Sequence, residues 1–131
     1  YKSQAPEVVR CLPYGFSADV YSFGILAWQV IALQTPFADF DADMHFDRVV
    51  IKGRRPSLFA LHVLPKLLQQ MVEDCWSADK ESRPNFRQIC IQIQSELLGM
   101  KGGTSSSSVI DRSTHLMNRS PRSLADRSEW K

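Results

Sequence analysis

The stretch "VYSFGILAWQVIAL", Val20 to Leu33, decides the fold. It is the longest apolar run of the chain, and only Ser22 and Gln29 are clearly polar within it. A helix that is hydrophobic nearly all round is a core helix or a membrane span. Fourteen residues rise only about 21 Å as a helix, short of the roughly 30 Å of hydrocarbon in a bilayer. The run therefore reads as a buried central helix. Asp19 precedes it in the position of an N-cap, and Pro36 breaks the helix at its far end.

Outward from this helix, the chain alternates helical stripes with polar breaks. In "ADFDADMHFDRVVIKG", Asp41 or Asp43 can cap a short helix that Gly53 can close. "RRPSLFALHV" reads as loop, and Pro65 opens the next helix at its first turn. That helix carries Leu67, Leu68, Met71, Val72, Cys75 and Trp76 at three-and-four spacing. "SADKESRPN" is a polar loop. The last helix carries Phe86, Ile89, Cys90, Ile93 and Leu97, and Gly99, Gly102 and Gly103 are expected to end it. Beyond it "GGTSSSSVIDRSTHLMNRSPRSLADRSEWK" has no sustained apolar period and is expected to be disordered. No strand pattern is convincing. The expected fold is mainly α over residues 1–98, with a Gly/Ser/Arg-rich tail over 99–131.

Composition narrows the function classes. The chain has 131 residues, 44% hydrophobic and 23% charged, as expected of one modest globular domain. A net charge of +2 argues for neither nucleic acid nor an anionic membrane as partner. Cys11, Cys75 and Cys90 form no C-x-x-C pair, which disfavours a disulfide framework or a zinc site and suggests a reducing, intracellular compartment. His45, His62 and His115 have no metal spacing. Trp28 and Trp76 lie on apolar stripes and read as core, and Cys75 and Cys90 read as small hydrophobes. The chain opens with Tyr1, shows no signal peptide, and reads as a piece of something longer.

"QAPEVV", Gln4 to Val9, places the carboxylate of Glu7 in apolar company beside the rigid Pro6. From the residues alone Glu7 is a catalytic acid, a structural ion or a solvated loop acid. "GRRP" at Gly53–Pro56 reads as a solvated loop, with an anion or acidic-substrate contact as the alternative.

Several motifs then fall in order: "APE" at Ala5–Glu7, "DVYSFG" at Asp19–Gly24, Trp28, Pro36-Phe37, "GRRP", and "CWSADKESRPNF" at Cys75–Phe86. Their order and spacing resemble the end of a eukaryotic protein kinase domain, most closely the tyrosine-kinase-like group. The resemblance covers about the first 98 residues. It implies the end of the activation segment and the lower helical part of the large lobe, within a parent domain of two lobes and α+β class. It implies that Glu7 pairs with Arg83, and that Asp19 holds the backbone of an upstream catalytic loop as well as capping its helix. Lys2, Ser3 and Gln4 match the loop that receives the substrate residue after the phosphoacceptor. Many members have an aromatic at the Ser3 position and Met at the Gln4 position, and this chain departs from both.

The glycine-rich loop, Val-Ala-Ile-Lys, His-Arg-Asp and Asp-Phe-Gly signatures do not occur in these residues. The resemblance thus implies ATP and Mg²⁺ in the parent domain and neither bound by this chain alone. It implies protein substrates, hydroxyls of Ser/Thr before Tyr, and the upstream half of the same domain as a partner. The alternative is a pseudokinase, a binding or scaffold module without chemistry. In the tail, Ser113, Ser120, Ser123 and Ser128 each follow an Arg and are candidate phosphosites, against the plainer reading of a solubilising tail.

Overall fold

Helix α2, Phe16–Ala32, is the axis of the structure, a computed structural model that describes residues 2–101. The four candidate tail phosphosites, Ser113, Ser120, Ser123 and Ser128, the expected disorder of the tail beyond residue 101, and Tyr1 lie outside the described residues. Around α2 stand α1 (Pro6–Val9), α3 (Ala42–His45), α4 (Lys66–Cys75) and α5 (Phe86–Lys101). A π-helical turn, Phe46–Ile51, continues α3, and two 3₁₀ turns cover Leu58–Val63 and Lys80–Ser82. Among the described residues there is no strand, as the sequence pattern requires of a mainly α chain. Residues 2–101 belong to one compact unit.

The central helix begins four residues earlier than its apolar run suggests. Gly15 occupies the N-cap, and Asp19 lies inside the first turn. Asp19 is therefore not the cap, although a carboxylate in the first turn still opposes the positive end of the helix dipole. Nor is α2 buried all round. Ala18, Val20, Tyr21, Gly24, Ile25 and Trp28 face inward, whereas Leu26, Val30 and Leu33 are more than half exposed. Leu33 ends the helix at φ 51°, a left-handed conformation that a side chain tolerates at some cost.

The core forms where α2 crosses α4. Met71, Val72, Cys75 and Trp76 meet the inner face of α2, and Ile89 of α5 and Leu61 of the first 3₁₀ turn complete the cluster. Each such side chain contributes roughly 1.5–3 kcal/mol on burial. Gly24 lets the helices close: a Cβ there would lie 2.7 Å from the Cβ of Cys75. Trp28 donates its indole N–H to the carbonyl of Ser57 at 2.8 Å, tying the first 3₁₀ turn to α2.

Several local expectations need correction. "RRPSLFALHV" is not all loop, because Ser57 starts a 3₁₀ turn by accepting a hydrogen bond from the Phe59 N–H at 3.3 Å. Pro65 caps α4 rather than lying within it. Asp41 caps α3 by accepting from the Met44 N–H at 2.8 Å, and Gly53 follows the π turn at φ +68°. The turn aligns Asp47 with Lys52, five residues on, in an exposed ion pair at 2.6 Å. Asn85 and Gln88 form a reciprocal capping box at the start of α5, at 2.8 and 3.0 Å. The last helix runs through Gly99 to Lys101, so it does not stop at Leu98. Gly99 touches nothing within 4 Å, and one exposed glycine costs a helix only about 1 kcal/mol. Cys90 is exposed, off the buried face of α5.

Candidate functional site

Pro6 stands at the start of α1, where its fixed φ suits a helix and its missing N–H costs nothing. The residue after it, Glu7, is carried inward and is 8% exposed. Arg83, 7% exposed, meets it with both ends of its fork: Nη1 to Oε1 at 2.6 Å and Nη2 to Oε2 at 3.0 Å. Two more guanidinium hydrogens are used, Nε donating to the Ser77 carbonyl at 3.0 Å and Nη1 to the Ser17 carbonyl at 2.9 Å. These four hydrogen bonds make a buried charge tolerable. Burial acts to raise the Glu7 pKa. The Arg83 hydrogen bonds, a backbone N–H and the charges of Arg83 and Lys80 outweigh it and hold the carboxyl below the ordinary glutamate value. Glu7 is neither solvated nor placed as a free acid; it ties α1 to the loop before α5.

Tyr21, fully buried on α2, backs this pair. The guanidiniums of Arg83 and Arg55 both lie 5.1 Å from its ring centroid. Arg55 donates Nε to the Trp76 carbonyl at 2.8 Å and Nη1 to the carbonyls of Arg54 and Val49 at 3.0 and 3.3 Å. Arg54 is exposed, with its guanidinium 5.4 Å from the centroid of the Phe40 ring, and the solvated-loop reading of "GRRP" fails for Arg55, whose Nε and Nη1 are spent on backbone oxygens. Burial lowers the Arg55 pKa, and burial raises that of the Tyr21 phenol against the pull of the two cations. Sequence reasoning passed over Tyr21 and read Arg55 only as part of a loop, because two adjacent arginines give no signal of which one turns inward.

The three residues before Ala5 separate. Lys2 is half-buried and donates Nζ to the carbonyls of Phe37 and Ala38 at 2.6 and 3.1 Å. Ser3 and Gln4 are exposed, and the Ser3 carbonyl is held at 2.9 Å by the Ser22 hydroxyl of α2. Gln4 and Asp19 share the wall of one open cavity of about 380 Å³, with Ala5, Val8, Ala18 and the exposed Tyr14 and Phe16 around it. Asp19 is exposed there and brings one carboxylate to a mostly apolar surface. Among the described residues no group of three His, Cys, Asp or Glu could hold a metal ion, and no helix is long and apolar enough to cross a membrane.

A family model for protein tyrosine and serine/threonine kinases matches residues 1–93. The chain is similar to the dual specificity protein kinase shkD of Dictyostelium discoideum, at 34% identity over 72% of this chain and 12% of that protein. It is similar to the serine/threonine-protein kinase STY17 of Arabidopsis thaliana, at 35% identity over 75% of this chain and 17% of that protein. It is also 37% identical, over 68% of its length and 3% of the relative's, to the probable inactive serine/threonine-protein kinase roco10 of Dictyostelium discoideum. The chain thus spans a small fraction of each relative.

Proposed function

The chain belongs to the protein tyrosine and serine/threonine kinase family, and from that premise we propose that it is the end of the activation segment and the lower helical lobe of a protein kinase. The parent would transfer the γ-phosphate of MgATP to protein hydroxyls, those of Ser and Thr before Tyr, in signalling. Residues 1–98 would be the kinase portion. Ser3 and Gln4 would border the substrate peptide, with Lys2 fixing their loop from behind, and Asp19 would hold the catalytic loop of the upstream half. The carrying observation is the buried Glu7–Arg83 pair: it fixes the segment that bears Ser3 and Gln4 against the helical lobe, at one wall of the cavity that Asp19 shares.

In this reading no step of phosphate transfer runs through the chain's own side chains, because its sequence has no glycine-rich phosphate loop, His-Arg-Asp or Asp-Phe-Gly. ATP and Mg²⁺ would be held by residues outside it, where they would supply the phosphoryl group and neutralise its charge. The 131-residue polypeptide is therefore expected to incorporate no radiolabelled phosphate into protein substrates. A longer polypeptide that carries the residues before Tyr1 is expected to do so. In it, Arg83→Gln is expected to reduce kcat/KM through loss of folded protein. Turnover by the 131 residues alone would refute the assignment of the chemistry to other residues.

A second reading is a pseudokinase that binds protein partners without turnover. Ser3 and Gln4 depart from the usual aromatic and Met, and a probable inactive kinase is among the relatives. A longer polypeptide that folds and carries an intact His-Arg-Asp and Asp-Phe-Gly yet transfers no phosphate would favour it.

A further inference from the structure

We propose that Ser57 is a phosphoacceptor for a basophilic serine/threonine protein kinase that reads Arg54. The segment is "GRRPSLF", Gly53–Phe59, and Ser57 is the only Ser or Thr of the chain with an Arg three residues before it. The fold divides this segment by side. Arg54, Ser57, Leu58 and Phe59 are exposed, the last by 79%. Arg55 and Pro56 turn inward, Arg55 onto the carbonyl of Trp76 and Pro56 into a buried position. The acceptor and the cation three residues before it are therefore offered to solvent on irregular backbone that ends at Ser57 in an extended conformation (φ −65°, ψ 127°), and the exposed Leu58 and Phe59 open the 3₁₀ turn that follows. An acting kinase needs the stretch accessible and needs only the start of that turn to open for Leu58 and Phe59 to extend.

The hydroxyl is chemically free to react. Ser57 Oγ accepts weakly from the Phe59 N–H at 3.3 Å, and its own hydrogen is donated to no group among the described residues. The Ser57 carbonyl, not its side chain, is what anchors the turn to Trp28. In the reaction Ser57 Oγ attacks the γ-phosphorus of MgATP held by the acting kinase. The Oγ–P bond forms as the bond to the β,γ-bridging oxygen breaks, ADP leaves, and the hydroxyl proton passes to the acting kinase's base. The product places a charge of about −1.5 to −2 next to the exposed Leu58 and Phe59, adding negative charge to an apolar corner of the lobe.

The test uses the full 131-residue chain, MgATP and a basophilic kinase that requires Arg three residues before its acceptor, with sites mapped by fragment mass spectrometry. Phosphate is expected at Ser57 in the chain and in a peptide of residues 50–62. Ser57→Ala is expected to remove it. Arg54→Gln is expected to slow modification by about tenfold or more, the worth of one charge-assisted hydrogen bond, with helix content unchanged by circular dichroism. Modification of the peptide but not of the folded chain would overturn the proposal by showing that the fold withholds the acceptor. Lack of modification in both, or an unchanged rate in Arg54→Gln, would overturn it on the sequence determinant.

Discussion

At the scale of single residues, the Glu7–Arg83 pair behaves as a two-sided commitment. Removing one partner leaves the other charge buried without compensation, which costs about 3–5 kcal/mol, more than an exposed ion pair of the same geometry contributes. Glu7→Ala is therefore expected to reduce the unfolding free energy measured in urea by that amount, whereas Lys52→Ala, at the exposed pair with Asp47, should shift it by less than about 1 kcal/mol. The same pair sets a pH dependence. The folded-state pKa of Glu7 lies below its ordinary value of 4.5. The unfolded chain therefore binds the proton first, and the stabilisation is complete above about pH 4.5 and is lost as pH falls through the folded-state value. Glu7→Gln should flatten that acid limb, and an unchanged limb would place the acid sensitivity elsewhere. Burial pushes the Cys75 thiol up to about 12, with Asp74 adding to the effect. At about pH 8 a thiol reagent should modify the exposed Cys11 and Cys90 in the folded chain and reach Cys75 only after unfolding. The sequence suggested a partner for Glu7 only through a family resemblance, because spacing alone cannot join positions 76 residues apart. It offered no route to Tyr21 and Arg55, whose roles depend on which way neighbouring side chains turn.

At the scale of elements, legibility followed the strength of the periodic signal. The stripe of α4 is right at Met71, Val72, Cys75 and Trp76, which are buried because a helical period of about 3.6 residues and a single packing partner agree there, while Leu67 at its start is 43% exposed. The short helix before Gly53 was legible, but its π geometry and the 3₁₀ turns were not, since six residues are too few to establish a period and are set by caps such as Ser57 and by tertiary contacts. The start of α2 was misplaced for a related reason. Apolar content marks where burial begins at Ala18 and Val20, whereas the helix itself begins at Phe16, which is 87% exposed. Gly24 carries the sharpest test of the α2–α4 crossing. A methyl at Gly24 would sit 2.7 Å from the Cys75 Cβ and 3.4 Å from the Val72 carbonyl. Helix propensity favours alanine over glycine by about 1 kcal/mol, while overpacking costs about 1–3 kcal/mol. The packing term wins because backbone stands behind the side chain, so Gly24→Ala is expected to destabilise. A rise in the thermal midpoint would show that the helices can separate at little cost.

At the scale of the whole molecule, the surface of residues 1–101 is less finished than its core. Leu26 and Val30, a turn apart on one face of α2, are 55% and 62% exposed, and Leu33 beyond them is 89% exposed. Phe16 and Tyr14 also stand open, at the rim of the cavity that holds Asp19. A central helix that keeps apolar residues on its open face, next to a carboxylate on a mostly apolar wall, is shaped to be covered by more protein. Under the proposed function the cover is the upstream half of the kinase domain, and that separates two effects of one substitution. Leu26→Gln with Val30→Thr removes little buried area from residues 1–101, so it should change their unfolding free energy by only about 0.5 kcal/mol per site. In a longer polypeptide that includes the residues before Tyr1, the same pair would bury polar groups without partners and should cost several kcal/mol. Chemical denaturation of both lengths, with and without the two substitutions, reads the difference directly. Equal small losses in both would mean that this face of α2 stays open and that the upstream half packs elsewhere.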